Sequence, residues 1–260
     1  MQKDILTDIK NGVATLTLNR PDVFNSFNRA MALLLQSELD KCASNDEVRA
    51  IVLTGTGRAF CAGQDLGEVT SEKLNPGFRT ILEEHYNPII DKIRSIKKPV
   101  VAAVNGVAAG AGANIALACD IVIASEQASF IQAFSKIGLV PDSGGTFFLP
   151  RLIGFQRASA LMLLGDKVTA EEALEMGMLY KLVPHDKLEE EVQKTALTLA
   201  MMPTKALGMT KELLNASMTN SLTKQLAMES TYQIEAAQTE DYKEGVTAFV
   251  EKRRPNFKGK

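Results

Sequence analysis

The sequence predicts an α/β protein in which buried strands alternate with helices. Apolar stretches at 48–54, 99–104 and 121–124 have the length and composition of buried strands, and helical patterns at 28–43 and 78–96 lie between or before them. Gly-rich turns separate these segments. A recurring order of strand, turn and helix is typical of an α/β core. A chain of 260 residues buries about three quarters of its unfolded surface, so its core needs no disulfide or metal.

The first predicted element is a β-hairpin. Residues 5–9 and 13–18 alternate between apolar and polar, and Asn11-Gly12 between them is a strong two-residue turn signal. Farther along, the strand at 99–104 leads into 106–112, which we interpret as a small-residue turn that opens a helix. The run from Pro99 to Cys119 has no charge, but its Ala, Gly and Asn content favours a buried strand and helix over a membrane span.

The chain changes character from Thr169 onward. Thr169-Ala-Glu-Glu172 is a capping box that opens a short helix ending at Gly177, and a brief strand follows at 180–183. The remaining helices are predicted at 186–201, 204–216, 222–237 and 241–252. We therefore expect a core over residues 1–200 and a C-terminal helical region over 201–260, which packs onto the core or onto a neighbouring subunit.

Composition excludes several classes of protein. The net charge is −2, which gives no indication of a basic surface that would bind nucleic acid. Three widely spaced cysteines and no CxxC pair indicate free thiols in a reducing compartment, and we expect a cytoplasmic protein that binds no membrane. With only His85 and His185, the chain is poorly supplied for a zinc site or a Ser–His–Asp triad, and we predict no metal.

Three Gly-rich turns are candidates for chemistry: Phe60-Cys-Ala-Gly-Gln-Asp-Leu66, Asn105-Gly-Val-Ala-Ala-Gly-Ala-Gly112 and Gly138-Leu-Val-Pro-Asp-Ser-Gly-Gly145. Each alone is explained as an ordinary turn of an α/β fold. Gly110-Ala-Gly112, however, opens a predicted helix, where unpaired N–H groups gather positive potential. With a second donor near Ala62, this helix start would form a two-amide oxyanion hole. Such a site stabilises the enolate that forms when a proton leaves the carbon next to a thioester carbonyl.

An aspartate at position 142 can be explained in two ways. Pro-Asp followed by Ser and Gly is ordinary turn chemistry, which explains the residue without any catalytic role. Its flanks are unusually apolar, with Leu139 and Val140 before it and Phe147 and Phe148 after it. A carboxylate that is half-buried among such residues has a raised pKa, as a general base near neutral pH requires.

Five motifs occur in order along nearly the whole chain: Leu18-Asn-Arg-Pro21 with Asn25, Phe60-Cys-Ala-Gly-Gln-Asp65, Ala103-Val-Asn-Gly106, Cys119-Asp120, and Pro141 with Gly144-Gly-Thr146. In these motifs the chain resembles the crotonase (enoyl-CoA hydratase/isomerase) family. The resemblance implies a spiral of ββα turns whose C-terminal helical region builds trimers or dimers of trimers.

The resemblance also implies an acyl-CoA thioester as the ligand. The thioester carbonyl would lie between the amides of Ala62 and Ala111. Coenzyme A would lie along residues of the same turns, and it would enter as part of the substrate, with no separate cofactor. The residues expected to contact it are Phe24, Gln64, Asp65, Leu66 and Gly110.

The chain departs from the hydratases of this family at two positions. Where they carry two glutamates that activate water, this chain matches Asn114 and Phe134, neither of which transfers a proton. Asp142 remains as the acidic candidate, at a position where several isomerases of the family carry theirs. A single acid/base group suffices to move one proton between two carbons, so the resemblance favours an isomerase. The alternatives are a hydratase and a binding protein without catalysis.

Three other features are given structural explanations. His85 is expected to be a solvated helix residue, and Cys61 a packing residue, since no basic neighbour would activate its thiol. The run Lys252-Arg-Arg254 is expected to be a solvated charge cluster, with contact to the phosphates of coenzyme A as the alternative.

Overall fold

The computed structural model describes residues 3–260, which form ten strands and twelve α-helices. The strands are β1 Ile5–Lys10, β2 Val13–Leu18, β3 Ala50–Gly55, β4 Ala59–Cys61, β5 Val100–Val104, β6 Val107–Ala109, β7 Ile121–Ser125, β8 Ser129–Ile131, β9 Lys167–Thr169 and β10 Lys181–Val183. The helices are α1 Arg29–Ser44, α2 Leu66–Val69, α3 Phe78–Thr80, α4 Asn87–Ser95, α5 Ala111–Ala118, α6 Gly145–Ile153, α7 Phe155–Leu164, α8 Ala170–Met176, α9 Leu188–Met201, α10 Thr204–Ser217, α11 Leu222–Ala236 and α12 Glu240–Val250.

The larger sheet has the order β1-β2-β3-β5-β7-β10, and all its pairings except β1–β2 are parallel. The predicted hairpin is confirmed, with Asn11 and Gly12 at φ of 51° and 80° as a two-residue hairpin turn of this kind requires. One face of this sheet packs on α1, α4 and α5, and the other face packs on α9. The predicted α/β class is therefore confirmed.

A second sheet, with the order β4-β6-β8-β9, escaped the sequence prediction. Residues 106–112 were expected to be a turn, but Val107–Ala109 is strand β6, which pairs with β4 and β8. All four strands are three residues long. An alternating or apolar pattern is not recognisable over three residues, so only pairing between distant segments defines these strands.

The predicted helix at 78–96 has an unusual centre. α3 and α4 are joined without a break by a π-helix over Ile81–Tyr86, which buries His85 and Tyr86. π-helical turns are rare and often occur at functional sites. The expectation that His85 is solvated is wrong, because its side chain is only 1% exposed.

The helices after Met201 are attached to the core at two places. On α10, the buried Lys211 ammonium contacts Asp120 (2.8 Å) at the end of α5 and donates to the carbonyl of Ile93 on α4. The C-terminal segment returns to the core, where the Arg49 guanidinium donates to the Phe257 carbonyl and to the Thr204 hydroxyl. By contrast, α11 buries none of its residues.

The uncharged run at 99–119 forms β5, β6 and α5, as a buried strand and helix were expected to. Within residues 3–260, no helix combines the length and apolar character needed to cross a membrane.

Candidate active site

The candidate site lies where three neighbouring parallel strands of the smaller sheet end. β4, β6 and β8 run parallel to each other, so their carboxyl ends lie at one edge. The turns that follow them hold Ala62–Gln64, Gly110–Ala111 and Gln132–Phe134. In α/β proteins ligands bind in the crevice at such an edge. Two of these turns are the Gly-rich segments that the sequence singled out.

The turn after β4 presents one free N–H group, but it is not that of Ala62. The Ala62 N–H donates to the Phe24 carbonyl oxygen (3.0 Å), so the expectation that it is available as an oxyanion donor is wrong. Phe27 forms a parallel bridge with Gln64, donating to the Gly63 carbonyl (2.7 Å) and accepting from the Asp65 N–H (2.9 Å). In such a bridge the N–H of the central residue points away from its partner.

The Gln64 N–H therefore faces away from Phe27, and it has no hydrogen-bond acceptor in residues 3–260. The turn after β6 presents the second free N–H group. Ala111 is the first residue of α5, and its N–H likewise has no acceptor among the described residues. At a helix start the first N–H groups have no partner within the helix, and the helix dipole adds positive potential.

The two turns meet in space. A Cβ atom on Gly63 would lie 3.5 Å from the Ala111 nitrogen. A Cβ atom on Gly112 would lie 2.3 Å from the Cys61 carbonyl oxygen, so only Gly allows α5 to approach β4 this closely. The sequence could not show this proximity. The candidate donors are thus Gln64 and Ala111. Ala111 was expected, and Gln64 replaces Ala62, which lies two residues before it.

Asp142 lies in the loop before α6 and is held from two sides. The Asn114 side-chain amide on α5 donates to the Asp142 carbonyl oxygen (2.8 Å), and the Ser143 hydroxyl donates to the carboxylate (2.8 Å). Burial raises the pKa of Asp142 above its ordinary value, and the Ser143 hydroxyl partly opposes this.

Two more residues, Gln132 and Phe134, contact the residues of the site. The Gln132 amide donates to the Asn114 side-chain oxygen (2.8 Å), so a chain of amides runs from the turn after β8 to the main chain of Asp142. Phe134 borders the other turn, since a Cβ atom on Gly110 would lie 3.6 Å from its ring. Asn114 and Phe134 thus both lie at the site and carry no titratable proton.

Four of the five residues expected along coenzyme A divide into two groups. Phe24 and Leu66 are 38% and 62% exposed at the rim, and the Arg58 guanidinium lies 4.9 Å from the Phe24 ring centroid. Asp65 is instead engaged within the protein, since its carboxylate pairs with Arg20 (2.9 Å) and caps α2. The Gln64 side chain is engaged as well, with Tyr86 and Glu68.

Cys61 is fully buried, and burial raises the pKa of its thiol to about 12, which supports its interpretation as a packing residue. The buried His85 imidazole lies with Nε2 3.1 Å from the Arg29 guanidinium, and burial, together with Arg29, lowers its pKa. Nε2 must therefore accept, so the ring is neutral. In the C-terminal run, Arg253 pairs with Glu244 and Glu251 (both 2.6 Å), which supports the interpretation as a solvated charge cluster.

Comparison with known proteins identifies the family. Residues 8–260 match the enoyl-CoA hydratase/isomerase family, and the chain is an enzyme of this family, the crotonases. It is 47% identical over the full length of both chains to the 1,2-epoxyphenylacetyl-CoA isomerase of Escherichia coli K12, and 48% identical, over 97% of each chain, to a "Probable enoyl-CoA hydratase" of Rhodobacter capsulatus. The solved enoyl-CoA hydratase of Bacillus anthracis superposes with a TM-score of 0.93 at 34% identity, covering 99% of this chain and all of its own.

Proposed function

We propose that this enzyme is an acyl-CoA isomerase that moves one proton, and with it a double bond, within the acyl group of a thioester. The observation that carries the proposal is the set of side chains at the strand ends. Asp142 is the acidic group there with a raised pKa, while Asn114 and Phe134, which the family resemblance matches to the two hydratase glutamates, carry no acidic proton. The Asn114 amide is also committed to the Asp142 main chain.

The proposed reaction uses Asp142 twice. For a 3-enoyl thioester, the Asp142 carboxylate removes a proton from C2, and the C–H electron pair enters the conjugated system. Negative charge develops on the thioester oxygen, where the N–H groups of Gln64 and Ala111 donate to it. The carboxylic acid of Asp142 then returns the proton to C4. The C=C bond has moved from C3 to C2, and no water has been added.

The particular substrate that we propose is 1,2-epoxyphenylacetyl-CoA, which the enzyme would convert to the oxepin thioester during aerobic phenylacetate breakdown. Support comes from the 47% identity to the E. coli isomerase of that name across the full chain. A Δ3,Δ2-enoyl-CoA isomerase is the second candidate, because it needs the same single acid/base group. A hydratase is the third, favoured by the name of the R. capsulatus relative.

A substrate panel tests this proposal. The purified enzyme is given 3-enoyl-CoA, 2-enoyl-CoA and epoxyphenylacetyl-CoA, and the products are followed by chromatography. We expect turnover of the epoxide and the 3-enoyl thioester, and little hydration of the 2-enoyl thioester. Rapid formation of 3-hydroxyacyl-CoA, with the other two thioesters unchanged, would identify a hydratase instead.

We also propose that the chain forms a trimer or a dimer of trimers through its C-terminal helices. A single chain leaves large apolar side chains on α11 and α12 in solvent, including Leu222 (74% exposed), Ile234 (64%) and Phe249 (85%). Apolar surface of this kind on neighbouring helices is typical of protein interfaces.

Light scattering is expected to give three or six times the 28.2 kDa chain mass at micromolar concentration. Phe249→Glu should shift the enzyme toward smaller species, because it places a charge in the apolar contact. Lys243→Glu, at an exposed polar position of the same helix, is the matched control and should keep the assembly intact. A wild-type monomer would contradict the proposed assembly.

A further inference from the structure

The polar side chains around the Gln64 turn form a series of hydrogen bonds that has no part in the proposed reaction. The Tyr86 hydroxyl donates to the Gln64 side-chain oxygen (3.0 Å), and the Gln64 side-chain nitrogen donates to Glu68 (2.9 Å). We propose that Tyr86 is a positioning residue, which fixes the Gln64 N–H at the oxyanion hole by holding the Gln64 side chain. This inference rests on the proposed function.

The main chain holds Gln64 from one side only. The bonds from Phe27 go to Gly63 and Asp65, and the N–H group of Gln64 itself has no acceptor within residues 3–260. The side chain supplies the missing constraint, because both ends of its amide are bound. An N–H donor that must meet an oxyanion at hydrogen-bonding distance needs this kind of fixation, since a misplacement of about 1 Å costs on the order of 10²-fold in rate.

The donor and acceptor of each of these hydrogen bonds follow from the chemistry of the side chains. The Glu68 carboxylate accepts, so the amino end of the Gln64 amide must face it. The oxygen end then faces Tyr86, whose hydroxyl must donate. Burial, above all, raises the pKa of Tyr86 well above its ordinary value, so the hydroxyl keeps the proton that this bond requires.

Tyr86 is itself held rigidly. Its side chain is 1% exposed, and its ring meets the Phe27 ring edge-on with centroids 5.9 Å apart. Phe27 is the residue whose main chain binds Gly63 and Asp65, so one aromatic pair supports Gln64 through both its backbone and its side chain. The π-helix over Ile81–Tyr86 places Tyr86 in this position.

Tyr86→Phe removes the hydroxyl and retains the ring contact, so it tests positioning with little loss of packing. We expect kcat to fall about 10-fold with KM nearly unchanged, which is less than the 10²–10³-fold expected for loss of a whole oxyanion donor. The infrared carbonyl stretch of a bound, non-reacting acyl-CoA should move toward its solution value, because the carbonyl is less polarised. The pH at which activity falls on the acid side, which Asp142 sets, should stay constant.

Two further variants complete the experiment. Gln64→Met removes both side-chain bonds and should resemble Tyr86→Phe, and the double variant should be no worse than Gln64→Met alone. Tyr180→Phe, at a 69% exposed position, is the control and should match the wild type.

A wild-type carbonyl stretch and kcat in Tyr86→Phe would overturn the proposal, and so would a shifted acid-side pH. If the wild type binds thioesters without isomerising them, the proposed function fails. A carbonyl shift in Tyr86→Phe would still support the positioning role in that case.

Discussion

Asp142→Asn is expected to lower isomerase kcat by about 10²–10⁴-fold, the range that a positioned general acid/base contributes. The amide has nearly the same shape as the carboxylate and still accepts from the Ser143 hydroxyl, but it cannot take a proton from carbon. Thioester affinity should change little, because the exposed rim at Phe24 and Leu66 is untouched. Steady-state and single-turnover rates on 3-enoyl-CoA, with binding measured by calorimetry, check this.

Asp186→Asn is the matched control, since Asp186 is exposed and belongs to a short helical turn before α9. It should keep the wild-type rate. An Asp142→Asn enzyme that isomerises at the wild-type rate would mean that Asp142 is only a turn residue, as its Pro-Asp-Ser-Gly context also allows.

The raised pKa of Asp142 has consequences for both activity and stability. The base must be ionised, so activity should fall on the acid side at a pH above 3.8, the ordinary value for the group. Because the folded pKa exceeds the unfolded one, the folded state loses stability as pH rises from 3.8 through the raised pKa. Asp142→Asn lacks this cost and should therefore have the higher Tm at neutral pH. The difference should shrink as the pH approaches 3.8, and a difference that is independent of pH would contradict the account.

Ala111→Pro is expected to reduce kcat/KM by about 10²–10³-fold, the effect of removing one oxyanion donor. Proline lacks the N–H group, and the first residue of a helix is the position where proline is best tolerated. The ring also enters the space where the thioester oxygen would bind, so affinity should fall too. Rates and binding for one thioester, measured on the folded variant, check this.

Glu240→Pro is the matched control, because Glu240 is exposed, is the first residue of α12 and follows an extended residue that suits a proline. It should leave kcat/KM near the wild-type value. Full activity in Ala111→Pro would show that the thioester oxygen binds elsewhere.

The long elements could be predicted from the sequence, because their patterns extend over many residues. The hairpin around Asn11-Gly12 and the helix capped by Thr169 and Glu172 are local structures, whose turn and capping residues are sufficient to define them. The strands β4, β6, β8 and β9 are different, since three residues carry no period and become strands only through pairing with distant segments.

The site was predictable to within a few residues, and the errors have a physical cause. Which N–H of Phe60–Leu66 is free depends on the bridge between Phe27 and Gln64, and nothing local in the sequence specifies that register. His85 was misjudged for a similar reason, because its burial depends on helix α1, which supplies Arg29. The raised pKa of Asp142 was predictable, because an acidic residue among apolar flanks is visible in the sequence itself.

In the proposed mechanism one carboxylate moves one proton within the acyl group. NMR of 3-enoyl-CoA incubated with the enzyme tests this mechanism most directly, with Asp142→Asn in parallel. We expect the wild type to convert the substrate to 2-enoyl-CoA without adding water, and Asp142→Asn to leave it unchanged over the same time. Accumulation of 3-hydroxyacyl-CoA as the main product, or equal isomerisation by both enzymes, would contradict it.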